Sequence, residues 1–279
     1  MERYKLDYHP FSRTPNSVLF LCTDTVTGER LIVKTVDRRL TSGERRVRLL
    51  LSGSQLVSRA GTHKHITKVR AIYDVNGKAF VVMDYAAGGT LLSYIRRRGP
   101  LTEDRAVVIV RQLLEAIVHL HAAGVMHRDI KAENILIQAP VDGKHPPTSV
   151  CISDFGFATF CGPSNECVGS PAYCSPEIAL IGINQGHKVD EQGYTYNEKC
   201  DVWALGVVVY AMLSGLLPYG PGTPTQVFSD IVKGQLQFPQ TSWSHVTEEG
   251  KNFVRFLMTF EEKKRPSARE ALNHSWLVR

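Results

Sequence analysis

The chain has 279 residues, enough for one large domain or two lobes around a substantial core. A hydrophobic share of 43% and a charged share of 22% are ordinary for a soluble globular protein, and the longest apolar run, residues 205–217, falls short of the ~18 residues that a membrane span needs. The net charge of +6 comes from scattered lysines and arginines, which read as a solvated basic face and not as a specific nucleic-acid site.

Cysteine usage and the first residues bound the setting. Cys22, Cys151, Cys161, Cys167, Cys174 and Cys200 show no paired metal-ligand spacing, so free thiols are expected. Three of them fall between residues 161 and 174, where they are either redox-sensitive or incidental. No apolar leader is visible after Met1. We therefore expect an intracellular protein, cytoplasmic and/or nuclear, monomeric and without membrane contact.

In chain order, residues 17–36 read as two apolar strand runs joined by a turn. Lys34 lies inside the second run, where a lone ammonium is expensive to bury without a partner. Residues 44–60 have a helical pattern, with Val47, Leu50, Leu51 and Val57 on one face and an interruption at Gly53. No acid occurs from residue 45 to residue 73. Asn76-Gly77 between apolar runs signals a hairpin, and Ala86-Ala87-Gly88-Gly89-Thr90 marks a boundary between a unit at 1–86 and one at 87–279. Thr102 reads as the N-cap of a helix reaching about Ala123, with Glu103 and Asp104 in its first turn and Gly124 as its stop.

Chemistry concentrates next, in His127-Arg128-Asp129-Ile130-Lys131-Ala132-Glu133-Asn134. This polar loop lies between the amphipathic helix and an apolar strand-like run, where reactive groups can be mounted on a rigid scaffold. One carboxylate can face a hydroxyl, an ammonium a phosphate and an amide oxygen a metal. A polar excursion at 138–150 reads as a hairpin tip. Then come Ile152-Ser153-Asp154-Phe155-Gly156, Gly169-Ser170-Pro171 with Ser175-Pro176-Glu177, an extra loop at 182–193, and Asp201-Val202-Trp203 opening a buried helix at 202–216. Lys263-Lys264-Arg265-Pro266 and Leu272-Asn273-His274-Ser275-Trp276 close the series.

In order and spacing these motifs resemble the protein kinase superfamily, and within it the calcium/calmodulin-dependent-like group, over almost the whole chain. The resemblance implies an α+β, two-lobed fold. A small antiparallel β lobe with one helix (1–86) would bind nucleotide, and a larger, mainly helical lobe (87–279) would carry catalysis and substrate binding. It also implies a serine/threonine kinase that transfers the γ-phosphate of ATP, with Mg2+ or Mn2+, to protein hydroxyls. Asp129 would deprotonate the hydroxyl, Lys131 and Lys34 would contact phosphates, and Asn134 and Asp154 would hold the metal. Val18, Ile32, Met83 and Leu136, with the backbone of Asp84, Tyr85 and Ala86, would surround the adenine. Ser170 beside Lys131 fits serine and threonine substrates. Glu166 would contact Arg128, so that phosphorylation of the segment is not required, although Ser164 is a candidate phosphosite. Asp201 would hold the catalytic loop, and Arg265 would pair with Glu177.

Three features depart from the family. The phosphate loop G-x-G-x-x-G-x-V ends at Val18, which puts Phe11, Arg13 and Asn16 where glycines allow close approach to phosphate. Ile32 replaces a small alanine against the adenine ring. The helix lacks the glutamate that pairs with the strand lysine. That position falls at Ser52 or Gln55, so the usual ion pair is expected to be missing, or replaced by a weaker Gln55–Lys34 hydrogen bond. The alternative reading is a pseudokinase, a scaffold or regulatory binding module with weak or no nucleotide binding. Retention of Lys34, Asp129, Lys131, Asn134 and Asp154 favours the active reading.

Overall fold

The computed structural model describes residues 2–15, 17–139, 147–184 and 193–278. Asn16, most of the polar excursion at 138–150 and most of the extra loop at 182–193 lie outside the described residues. The first part of the chain forms an antiparallel sheet of β1 (Tyr4–Leu6), β2 (Ser12–Arg13), β3 (Val18–Asp24), β4 (Arg30–Asp37), β5 (Val69–Val75) and β6 (Lys78–Asp84). Its order is β1-β3-β4-β6-β5, with β2 pairing beside β1 on β3.

Alternation along β4 decides what the sheet offers. Leu31 and Val33 point into a core shared with Tyr4, Cys22 and Val82. Ile32 and Lys34 therefore share the other face, and both are half-buried. Register places Leu21 and Met83 on either side of Ile32, and Leu19 and Val81 on either side of Lys34. The Asn76-Gly77 turn has positive φ at both residues, 52° and 75°, the geometry a tight hairpin with right-handed twist requires.

α1 (Gly43–Arg59) packs over the sheet through Val47 and Leu50, near Val36, Ala79 and Val81. It runs unbroken through Gly53, so the expected interruption is absent. Gly53 instead marks a close contact with the rest of the molecule, described below.

After Asp84 the fold becomes mainly helical. α2 (Leu91–Arg98), which periodicity did not reveal, is capped by Thr90, whose Oγ1 accepts from the Ser93 N–H. α3 (Glu103–Ala122) buries Val107, Val110, Leu113, Leu114, Ile117 and Leu120. Thr102 precedes α3 in extended conformation, but its side chain makes no capping bond. Two short antiparallel pairs follow, β7 (Val125–Met126) with β10 (Thr159–Phe160) and β8 (Ile135–Ile137) with β9 (Val150–Ile152). They hold the two ends of the catalytic loop in place. α4 (Pro176–Ile183) leads toward α5 (Lys199–Ser214), whose residues from Cys200 onward are all buried. That explains its continuous apolar sequence.

Candidate active site

The strand lysine and the loop carboxylate meet across the cleft. Lys34 Nζ lies 2.7 Å from Asp154 Oδ1. Burial opposes ionisation of Asp154, but Lys34, helped by His127 and the Gly156 N–H, outweighs it and holds the carboxyl below the usual carboxylate range.

α1 supplies no second acid. Ser52 is exposed and bonds back to Leu49 O, and Gln55 is also exposed; the usual ion pair is missing, the first of the two expectations, and no Gln55–Lys34 hydrogen bond replaces it among the described residues. Glu44, one helical stretch too early, pairs with Arg38. Spacing placed the missing acid at Ser52 or Gln55, whereas the helix turns Gly53 toward the Asp154-Phe155-Gly156 turn.

The catalytic loop is a closed network. Asn134 Nδ2 donates to Asp129 O at 2.9 Å and to Asp129 Oδ2 at 3.0 Å. Lys131 Nζ lies 2.8 Å from Asp129 Oδ2 and donates to Ser170 Oγ at 2.8 Å. Ser170 in turn donates to Asp129 Oδ1 at 2.9 Å. Both oxygens of Asp129 are thus anchored, and its side chain is nearly buried. The Asn134 bonds engage its Nδ2, and its Oδ1 makes no hydrogen bond among the described residues.

A buried carboxylate below fixes this loop. Asp201 Oδ2 accepts from the His127 N–H and Oδ1 from the Arg128 N–H, each at 2.8 Å, and His121 Nε2 lies 2.9 Å from Oδ2. Burial opposes its ionisation, but His121, His127 and the backbone donor hold Asp201 below the usual range. These bonds support a turn in which Arg128 takes φ 67°, unusual for a residue with a side chain. His127 packs edge-on against Phe155, with ring centroids 4.9 Å apart, and its Nε2 lies 3.0 Å from Ser153 O.

Arg128 is held from several sides. It reaches Glu166 Oε2 at 2.7 Å, Tyr196 Oη at 3.1 Å and Ser164 Oγ at 3.3 Å through Nη1, and Phe157 O through Nε. The expected Arg128–Glu166 contact therefore forms. Tyr196 was not anticipated, because it lies beyond the extra loop, and its hydroxyl also donates to Glu166 O at 2.9 Å. Farther down, Arg265 makes a two-pronged contact with Glu177 at 2.7 and 3.0 Å, as expected.

Of the residues expected around the adenine, Ile32 and Met83 pair in register on the sheet face that carries Lys34. Val18 instead pairs with Thr35, and alternation along β3 puts it on the opposite face, so its expected place beside the ring is not met. Val18, Ile32, Met83 and Leu136 are each half-buried, and Leu136 bridges to Thr90 at the start of α2. Asp84 N–H bonds to Lys68 O, while the Ala86 N–H and C=O make no hydrogen bond among the described residues. At the mouth, Phe11 meets the Tyr85 ring edge-on at 5.8 Å. Phe11 and Arg13 are exposed and lie just before the Thr14 N–H to Ser17 O bond.

Three free cysteines lie between residues 161 and 174, Cys174 buried and Cys161 and Cys167 partly so. Burial pushes the thiols of Cys161, to about 12, and of Cys167 and Cys174 upward, which disfavours the reactive thiolate.

A protein kinase domain model matches residues 15–277 of the chain. Over 265 residues the chain is 30% identical to a probable myosin light chain kinase of Dictyostelium discoideum, covering 94% of this chain and 79% of that protein. It is 30% identical over 261 residues to calcium-dependent protein kinase 7 of Oryza sativa subsp. japonica, covering 92% and 45%. Similarity to MAP kinase-interacting serine/threonine-protein kinase 2 of Xenopus laevis is 28% over 282 residues, covering 92% and 57%. The chain thus spans about half the length of the latter two relatives.

Proposed function

The chain belongs to the protein kinase domain family, and we propose that it transfers the γ-phosphate of ATP to serine and threonine hydroxyls of proteins. One observation carries this reading: Asp129, Lys131, Asn134 and Ser170 close into a single hydrogen-bonded network around the Asp129 carboxylate. A purely structural loop has no need of a buried carboxylate anchored by an ammonium, an amide and a hydroxyl.

The residues divide the work as the geometry allows. Asp129 accepts the proton of the incoming hydroxyl as the new oxygen–phosphorus bond forms and the bond from the γ-phosphorus to the bridging oxygen breaks, releasing ADP. Its fixed orientation removes the freedom that a bimolecular encounter would have to lose. Lys131, anchored by Asp129 and Ser170, sets positive charge beside the phosphoryl group in flight, and Lys34 does so from the sheet side. Asp154 and the amide oxygen of Asn134 are the hard oxygen donors that would hold a magnesium ion. A bound ion would neutralise charge developing on the phosphoryl oxygens. The half-buried side chains of Ile32, Met83 and Leu136 would take the adenine, with the Ala86 N–H and C=O offered to its edge.

A second reading, a scaffold with weakened nucleotide contact, draws on Phe11 and Arg13 at the glycine positions and on the missing helix acid. It does not account for the anchored Asp129. Phosphoamino-acid analysis of a protein substrate after transfer from labelled ATP separates the readings. Phosphoserine and phosphothreonine are expected, and phosphotyrosine alone or no incorporation contradicts the proposal.

A further inference from the structure

α1 meets the Asp154-Phe155-Gly156 turn at Gly53. A Cβ built on Gly53 would overlap the Phe155 carbonyl oxygen and lie 2.8 Å from its carbonyl carbon and 3.5 Å from the Gly156 nitrogen. No side chain fits there. Glycine weakens a helix interior, so its place ten residues into a 17-residue helix needs a reason other than helix formation.

The rest of the turn supplies that reason. Asp154 adopts φ 62°, a left-handed conformation that its surroundings must hold in place. The Phe155 ring is buried against His127. The Phe155 carbonyl accepts the Ala158 N–H at 3.0 Å while its oxygen occupies the volume a Gly53 side chain would need. Lys34 is paired with Asp154, and no acid of α1 reaches Lys34.

We propose that Gly53 is a positioning residue: its bare Cα lets the backbone of α1 bear directly on the Phe155 peptide, which fixes Asp154 toward Lys34 without a carboxylate on the helix. In this arrangement the helix controls the metal-binding carboxylate by shape. The proposal rests on the phosphotransfer reading of the same site.

The test compares purified Gly53→Ala with Ser52→Ala, which places the same residue on the exposed face one position earlier. Positioning predicts a Michaelis constant for Mg·ATP raised about tenfold in Gly53→Ala, with that for a peptide substrate unchanged, since a small displacement of a metal ligand is costly. A merely structural role predicts otherwise: a misfolded fraction lowers apparent turnover and leaves both constants alone. An unchanged Mg·ATP constant in Gly53→Ala overturns the proposal.

Hydrogen exchange on the nucleotide-free wild type provides a second readout, needed if Gly53→Ala fails to fold or if the wild type transfers no phosphate. The Ala158 amide, bonded to Phe155 O, should exchange at least about a hundredfold more slowly than an open loop amide. Exchange at the open-loop rate overturns the proposal by itself. A wild type without transfer but with a protected Ala158 amide rejects the phosphotransfer reading and leaves the helix contact standing.

Discussion

Glu166 Oε2 lies 2.7 Å from Arg128 Nη1, which sets a permanent carboxylate against the arginine that precedes Asp129. The guanidinium is 3% exposed and the carboxylate 55% exposed, so the pair joins a buried cation to an anion at the rim. Burial disfavours the charged arginine, but Glu166 and Tyr196 outweigh it and raise its affinity for the proton. A charge that many kinases acquire by modification is here part of the sequence.

Glu166→Gln should therefore lower kcat/KM about fivefold to tenfold, because the half-exposed pair contributes about 1 kcal/mol after screening and Tyr196 and Ser164 still hold Arg128. Treatment of the wild type with a protein phosphatase should leave its activity unchanged. Steady-state kinetics before and after treatment decide the matter, and loss of activity on treatment would assign the control to a phosphate instead.

The Lys34–Asp154 pair makes a pH-dependent contribution with a definite sign. The folded state holds the Asp154 carboxyl below its usual range, so the stabilisation is fully present above the ordinary carboxylate value of about 4 and is lost as pH falls through the depressed folded value. Lys34→Met should destabilise the protein by about 1 kcal/mol at neutral pH, the partial exposure of Asp154 being allowed for. Urea titrations from pH 7 down to pH 3 should show the gap to wild type closing at the acid end. A gap that widens on acidification contradicts the assignment.

Ile32 pairs with Met83 across β4 and β6, and under the proposed function its side chain, bulkier than an alanine, would crowd an adenine ring bound there. Trimming it should relieve a clash of about 1–3 kcal/mol, so Ile32→Ala is expected to lower the Michaelis constant for ATP by about tenfold or more while lowering the melting temperature by a few degrees. An unchanged constant would mean that the ring sits clear of β4.

What could be read from the sequence was chemistry carried by short runs. Asp129, Lys131 and Asn134 lie within six residues, so their shared role needed no tertiary knowledge, and counting back from Gly169 reached Glu166. Alternation in β4 placed Ile32 and Lys34 together for the same local reason. The helix contact could not be read in this way. Gly53 looks like a weak point in a helical pattern, and only the approach of Phe155, a hundred residues away, makes it a contact. Similar distance hid Tyr196, which reaches Arg128 from beyond the extra loop. Thr102 stands at the N-cap of α3 as expected, yet of the two threonines only Thr90 accepts the N–H three residues on, a difference that the local sequence does not carry.

The most direct measurement is transfer of label from γ-labelled ATP with magnesium to a basic protein substrate, for the wild type and Asp129→Asn in parallel, with melting temperatures recorded. Asparagine is nearly isosteric with aspartate, so both proteins should melt within a few degrees of each other, while transfer should fall by about a hundredfold or more in the variant. Equal transfer by the two proteins, or no transfer by either with no shift in melting on adding ATP, would contradict the account.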